Sequence, residues 1–153
     1  MQKLDDNYGF RSFKFGTDIS QIKNIKNNNS HFNNMDEFIY LGDDISSIQN
    51  VKISRISLYF LNNKLAAIAI TFGWEKDYTS EQFSQVSYGL ENTFGIPTAN
   101  NCSGDISLLN CNIWMGKKVK LEHTRSRTKD NYLFGLIMFE EQNMRQKRIN
   151  SDF

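Results

Sequence analysis

The sequence predicts an α+β domain: an antiparallel sheet of five to six strands with two amphipathic helices packed on one face, in the order β-α-β-β-β-α-β-β. Three observations carry that expectation. Phe83, Val86, Leu90 and Phe94 recur at spacings of three and four, which keeps them in one stripe of a helix. Ile56, Leu58 and Phe60 alternate with Arg55, Ser57 and Tyr59, the pattern of a strand with one face on a core. An Asn62-Asn63 pair then separates this run (53–60) from a second apolar run, Leu65 to Phe72, so the two form an antiparallel hairpin. At 153 residues, 39% hydrophobic and 13% aromatic, the chain has the size and apolar content to bury its own core as one domain. That domain is expected over 9–140, between a polar leader at 1–8 and a charged tail at 141–153.

In chain order, Phe10 to Phe15 alternates so that Phe13 and Phe15 share a face, a first strand ended by Gly16. Asp18-Ile19-Ser20-Gln21 has the form of a helix start, with Asp18 as cap and Ile19, Ile22 and Ile25 as the apolar side. The Asn-rich segment 27–34 is expected as an exposed loop, because Asn satisfies its own backbone in turns. Phe38 to Leu41 is a short strand closed by Gly42-Asp43-Asp44. The second helix starts at Thr79, whose hydroxyl pairs reciprocally with Gln82, and stops at Gly95 before Pro97. Ile113-Trp114 precedes two more long strands, Val119 to His123 and Tyr132 to Phe139, after which the chain turns charged.

The opening Gly9-Phe10-Arg11-Ser12-Phe13-Lys14-Phe15-Gly16-Thr17, the hairpin and a helix ending in Phe94-Gly95-Ile96-Pro97 together resemble a group of uncharacterised small bacterial proteins, often secreted or lipoproteins. The resemblance spans most of the chain and its motifs are structural. It implies a fold and an envelope, secreted or periplasmic setting in preference to the cytoplasm, and brings no catalytic residue with it.

Charge excludes some classes of partner. Eighteen Lys and Arg against 17 Asp and Glu leave +1, which gives none of the long-range bias of a nucleic-acid binder. No run of about 18 apolar residues is present to span a membrane, and Met1 to Asn7 lack a signal-peptide core. Cys102 and Cys111 bracket a short polar stretch and either close it as a disulfide or stand as two thiols. They are not expected to hold a metal, because the two histidines, His31 and His123, are far off in sequence, and no cofactor is expected.

Catalytic candidates are few. A nucleophile would need His31 or His123 beside it, and a small hydrolase using His123 with nearby acids is the enzymatic alternative. Asp5 with Asp6, and Asp43 with Asp44, are adjacent acids that ordinary turn chemistry explains. Lys117, Lys118, Lys120, Arg125, Arg127 and Lys129 form the one basic stretch, which a hairpin around 124–130 would gather at one end of the sheet. Tyr59, Trp74, Tyr78 and Trp114 are the aromatics of the kind that anchor protein interfaces, or else belong to the core. The expectation is therefore a non-enzymatic protein-binding module of the bacterial envelope, acting through the sheet face left free by the helices. An immunity or inhibitor protein that masks a toxin or enzyme is a concrete version.

Overall fold

In the computed structural model, which describes residues 2–100 and 107–144, the period-two runs assemble into one seven-stranded antiparallel sheet. A short helix α1 (Gln2–Asn7) is followed by the two-residue strands β1 (Gly9–Phe10) and β2 (Phe13–Lys14). Next come β3 (Ile25–Phe32), β4 (Met35–Tyr40), β5 (Ser47–Ile48), β6 (Val51–Lys52), β7 (Arg55–Leu61) and β8 (Lys64–Phe72). Helix α2 (Ser80–Phe94) leads to β9 (Leu108–Met115), β10 (Val119–Arg127) and β11 (Leu133–Glu141). The main sheet has the order β3-β4-β7-β8-β11-β10-β9, while β1-β2 and β5-β6 are separate small hairpins.

Four expectations need correction. The main sheet has seven strands rather than five or six, and the element order differs accordingly. The stretch from Phe10 to Phe15 is a tight hairpin, because Arg11 turns the chain at φ 50 and brings Phe10 opposite Phe13. The segment from Asp18 caps only a single 3-10 turn, Ile19–Gln21, since Ile22 is already extended and Asn24 reverses the chain at φ 60. Much of the Asn-rich segment is strand: β3 is a largely exposed edge strand, with Asn28 turned in to bond Glu37, and Asn33-Asn34, both at positive φ, make the turn to β4. The helices on the core face are thus α2 and the short α1, whose Leu4 is fully buried.

Other elements follow the sequence closely. Asn62 and Asn63, at φ 49 and 67, join β7 to β8 as a two-residue turn, and Leu61 faces Lys64 across it. Thr79 Oγ1 accepts from the Gln82 N–H at 3.1 Å while Gln82 Oε1 accepts from the Thr79 N–H at 3.0 Å. Gly95 ends α2 at φ 88.

Phe83, Val86 and Leu90 of α2 close over Ile68, Ile70, Phe72, Leu121, Ile137 and Phe139 of the sheet, forming the main core with Trp114 and the aromatics of the N-terminal hairpin. Across the pleat, Met35, Ala66 and Ala67 form a second cluster, and Met144 beyond β11 packs against it. No helix among the described residues is long and apolar enough to cross a membrane.

Candidate functional site

The end of the sheet where β8 leaves for α2 carries a pocket of 370 Å³. One wall is the β6–β7 bend, Val51 to Ser54; the other is the β8–α2 connection, Gly73 to Tyr78. Gly73, at φ 97, lies so close to the β11 backbone that an added Cβ would stand 2.7 Å from Leu133 O. That approach turns the chain outward and presents Trp74, which is 57% exposed. The Trp74 backbone N–H donates to Ser54 Oγ at 3.2 Å, and on the ring itself the Arg55 guanidinium lies 4.4 Å from the centre, a cation–π contact. Lys52 and Glu75, 3.1 Å apart and both exposed, bridge the two walls. Tyr132, 63% exposed, stands at the neighbouring β10–β11 turn, which is tied to the pocket by the Leu133 N–H donating to Asp77 Oδ1.

The pocket floor joins a buried polar chain. Tyr78 stacks on Phe72 with ring centres 4.8 Å apart, and its hydroxyl lies 2.8 Å from His123 Nε2. His123 Nδ1 lies 2.9 Å from Ser87 Oγ, which accepts from Asn112 Nδ2 at 3.1 Å. The imidazole stacks on Phe83 at 4.0 Å and is fully buried. A neutral imidazole donates from one nitrogen and accepts at the other, so one tautomer satisfies both neighbours. Burial pushes its pKa down to about 3, and burial likewise raises that of Tyr78. His123 has no carboxylate or thiol among these partners and no water-facing nitrogen. Its role in the structure is to hold β10 against α2 and the pocket floor.

The remaining candidates are scattered. Trp114 and Tyr78 are core residues, Trp114 donating from Nε1 to Gly95 O at 2.8 Å. Tyr59 is half-buried on the second face and donates to Glu37 Oε2 at 3.2 Å; burial, then the Glu37 charge, raises its pKa to about 12. Burial pushes the Glu37 carboxyl up, but hydrogen bonds from Asn28, Ser57 and Tyr59 outweigh it and leave the pKa lowered. Of the four aromatics only Trp74 stands out from the surface. His31 is exposed and paired with Asp36 at 2.8 Å. Asp44 accepts from the Tyr40 hydroxyl, and Asp5 accepts from the N–H groups of Lys117, Lys118 and Val119, so neither acid pair converges.

The basic stretch is dispersed. Lys117 and Lys118 sit before one end of β10, Arg127 and Lys129 at the other; Lys120 pairs with Glu122 at 3.5 Å, while Arg125 bonds Asn110 Oδ1 at 2.8 Å. Cys111 is disulfide-bonded, and Cys102, the only other cysteine of the chain, lies outside the described residues. Among the described residues no three His, Cys, Asp or Glu side chains gather as a metal site.

Sequence reasoning missed Arg55 and Tyr132 at the Trp74 site, and Ser87 and Asn112 beside His123. The Asn62-Asn63 turn was a signal for Arg55, because its register sets Arg55 opposite Thr71, three residues before Trp74. Ser87 carried no such signal beyond lying one position after Val86 of the apolar stripe. Comparison with protein families, curated proteins and solved structures finds no match to this chain.

Proposed function

We propose that this chain is a non-enzymatic interaction module that binds another protein at the loop end of its sheet, with Trp74 as the anchor. The observation that carries it is a large aromatic side chain 57% exposed beside a 370 Å³ pocket, with its ring under the Arg55 guanidinium and its backbone anchored on Ser54. A pre-positioned Trp with an Arg partner has the composition of interface hot spots, and fixing it before binding lowers the entropy lost on association. Tyr132 extends the same surface, and the mixed charges of Lys52, Glu75, Lys76 and Asp77 supply a polar rim.

The setting we infer is a bacterial envelope or secreted one. The disulfide at Cys111 supports it, since such bonds persist in oxidising compartments. A protein that masks a toxin or enzyme is the specific form of this reading.

The test is cross-linked capture by the purified protein and by Trp74→Ala, Tyr132→Ala and Tyr88→Ala variants, each first checked for a retained cooperative fold. A stoichiometric partner kept by Tyr88→Ala, on the outer side of α2, and lost by Trp74→Ala supports the site. A partner retained equally by all variants, or no partner, overturns it.

A further inference from the structure

A second cavity, 320 Å³, lies between the N-terminal hairpin, the β5–β6 turn and α2. Its walls are Phe10, Ile48, Leu90 and Phe94, and it reaches down to Ile137 and Phe139 of the sheet, which are otherwise core residues. No carboxylate lines it. The one charged group at its opening is Arg11, which belongs to no ion pair among the described residues. Arg11 uses one donor on Ser47 O, at 3.2 Å, and leans over the Phe10 ring at 5.2 Å, leaving the rest of its planar fork available. The residue also sits at φ 50, a conformation that suits glycine and costs a side-chain-bearing residue on the order of 1 kcal/mol. A long cation is thus kept at a turn where its backbone is strained, at the mouth of an apolar cavity. Gln49 adds an amide on the same rim, its side chain lying over Gly89 of α2, where an added Cβ would come within 2.6 Å of it.

We propose that this cavity binds a small amphipathic carboxylate, with its aliphatic chain between Phe10, Leu90 and Phe94 and its carboxylate on Arg11. Beyond the polar Asn7, Gln49 and Thr93 the lining is mostly apolar, and the opening offers a guanidinium in no ion pair among the described residues, whose fork matches a carboxylate in two parallel hydrogen bonds. The volume corresponds to about ten water-sized units, so the ligand has roughly ten to fifteen non-hydrogen atoms, the size of a medium-chain acid. The site is separate from the Trp74 surface and does not depend on it.

The experiment uses octanoate as probe, followed by calorimetry and by amide shifts of the 15N-labelled full chain. Octanol tests the charge, acetate tests the chain, and Arg11→Gly removes the guanidinium while relieving the turn, so that variant should fold. Thr93→Trp, at an exposed rim position of α2, blocks the opening without entering the core. The expected result is saturable octanoate binding with shifts around Leu90, Phe94 and Ile137, weakened about tenfold or more in octanol and in Arg11→Gly, and abolished by Thr93→Trp and with acetate. No saturable binding, equal binding by Arg11→Gly or of octanol, or shifts centred on the Trp74 pocket would overturn the proposal.

Discussion

Gly135 of β11 and Tyr78 before α2 fit against each other with no room to spare: a Cβ added to Gly135 would lie 2.3 Å from the Tyr78 ring. The ring occupies the place a side chain would take, and from there its hydroxyl reaches His123. Gly135→Ala should therefore displace Tyr78 and destabilise the chain by about 1–3 kcal/mol, the usual range for overpacking a core. Chemical denaturation measures it, and an unchanged midpoint would show that Tyr78 can move freely.

The two tryptophans should separate cleanly by stability. Trp114→Ala removes a fully buried side chain and leaves Gly95 O without its donor, with an expected loss of about 3–5 kcal/mol. Trp74→Ala gives up an exposed ring and one cation–π contact, about 1 kcal/mol or less. Thermal melts of both variants check this, and a Trp74→Ala variant as unstable as Trp114→Ala would assign Trp74 to the core.

Acid should weaken the fold through His123. An unfolded histidine titrates near 6.5 and the folded one near 3, so as pH falls through 6.5 the unfolded state takes up a proton that the folded state refuses. Stability from this group is complete above 6.5 and declines by about 1.4 kcal/mol per pH unit toward pH 3. Urea titrations at pH 7 and pH 5 should show the native chain losing about 2 kcal/mol more than His123→Asn. Equal losses would mean that the folded imidazole takes up protons.

Reducing the disulfide at Cys111 should lower stability by about 2–4 kcal/mol, because the unfolded chain regains the freedom of a closed loop. A phosphine reductant should shift the native chain's unfolding midpoint and leave that of Cys111→Ser unchanged. A native chain indifferent to the reductant would contradict this.

What the sequence made legible was what repeats locally. The stripe from Phe83 to Phe94, the Thr79 and Gln82 cap and the Asn62-Asn63 hairpin are set by residues within a few positions of one another, and each stands where its spacing placed it. The first helix failed on the same principle: Asp18 does cap, accepting from the Ser20 N–H at 3.0 Å, but Lys64 holds its other oxygen at 3.0 Å across the sheet end and the turn goes no further. The Asn-rich strand was hidden because an edge strand bathed in water needs no apolar alternation. At the site, Trp74 was visible as a large aromatic after Gly73, whereas its neighbours were not. The turn that carries Tyr132 is brought to this pocket only through β8–β11 pairing and the Leu133–Asp77 hydrogen bond, which no local pattern encodes. His123 was visible only as a histidine on a strand, and its partners come from α2, β9 and the loop before α2.

The strand order itself divides the sheet into two sets of near neighbours, β3-β4-β7-β8 and β11-β10-β9, meeting along a single seam where Phe72 faces Gly135. Within each set, turns and short connections bring partners together, so little chain must be closed to pair them. The seam instead must wait for α2 and two further strands to be made, a closure whose entropic cost rises with the logarithm of the intervening length. Among the described strands, the β8–β11 seam is therefore the pairing that closes the longest stretch of chain, and it raises the contact order of the whole sheet above that of its hairpins.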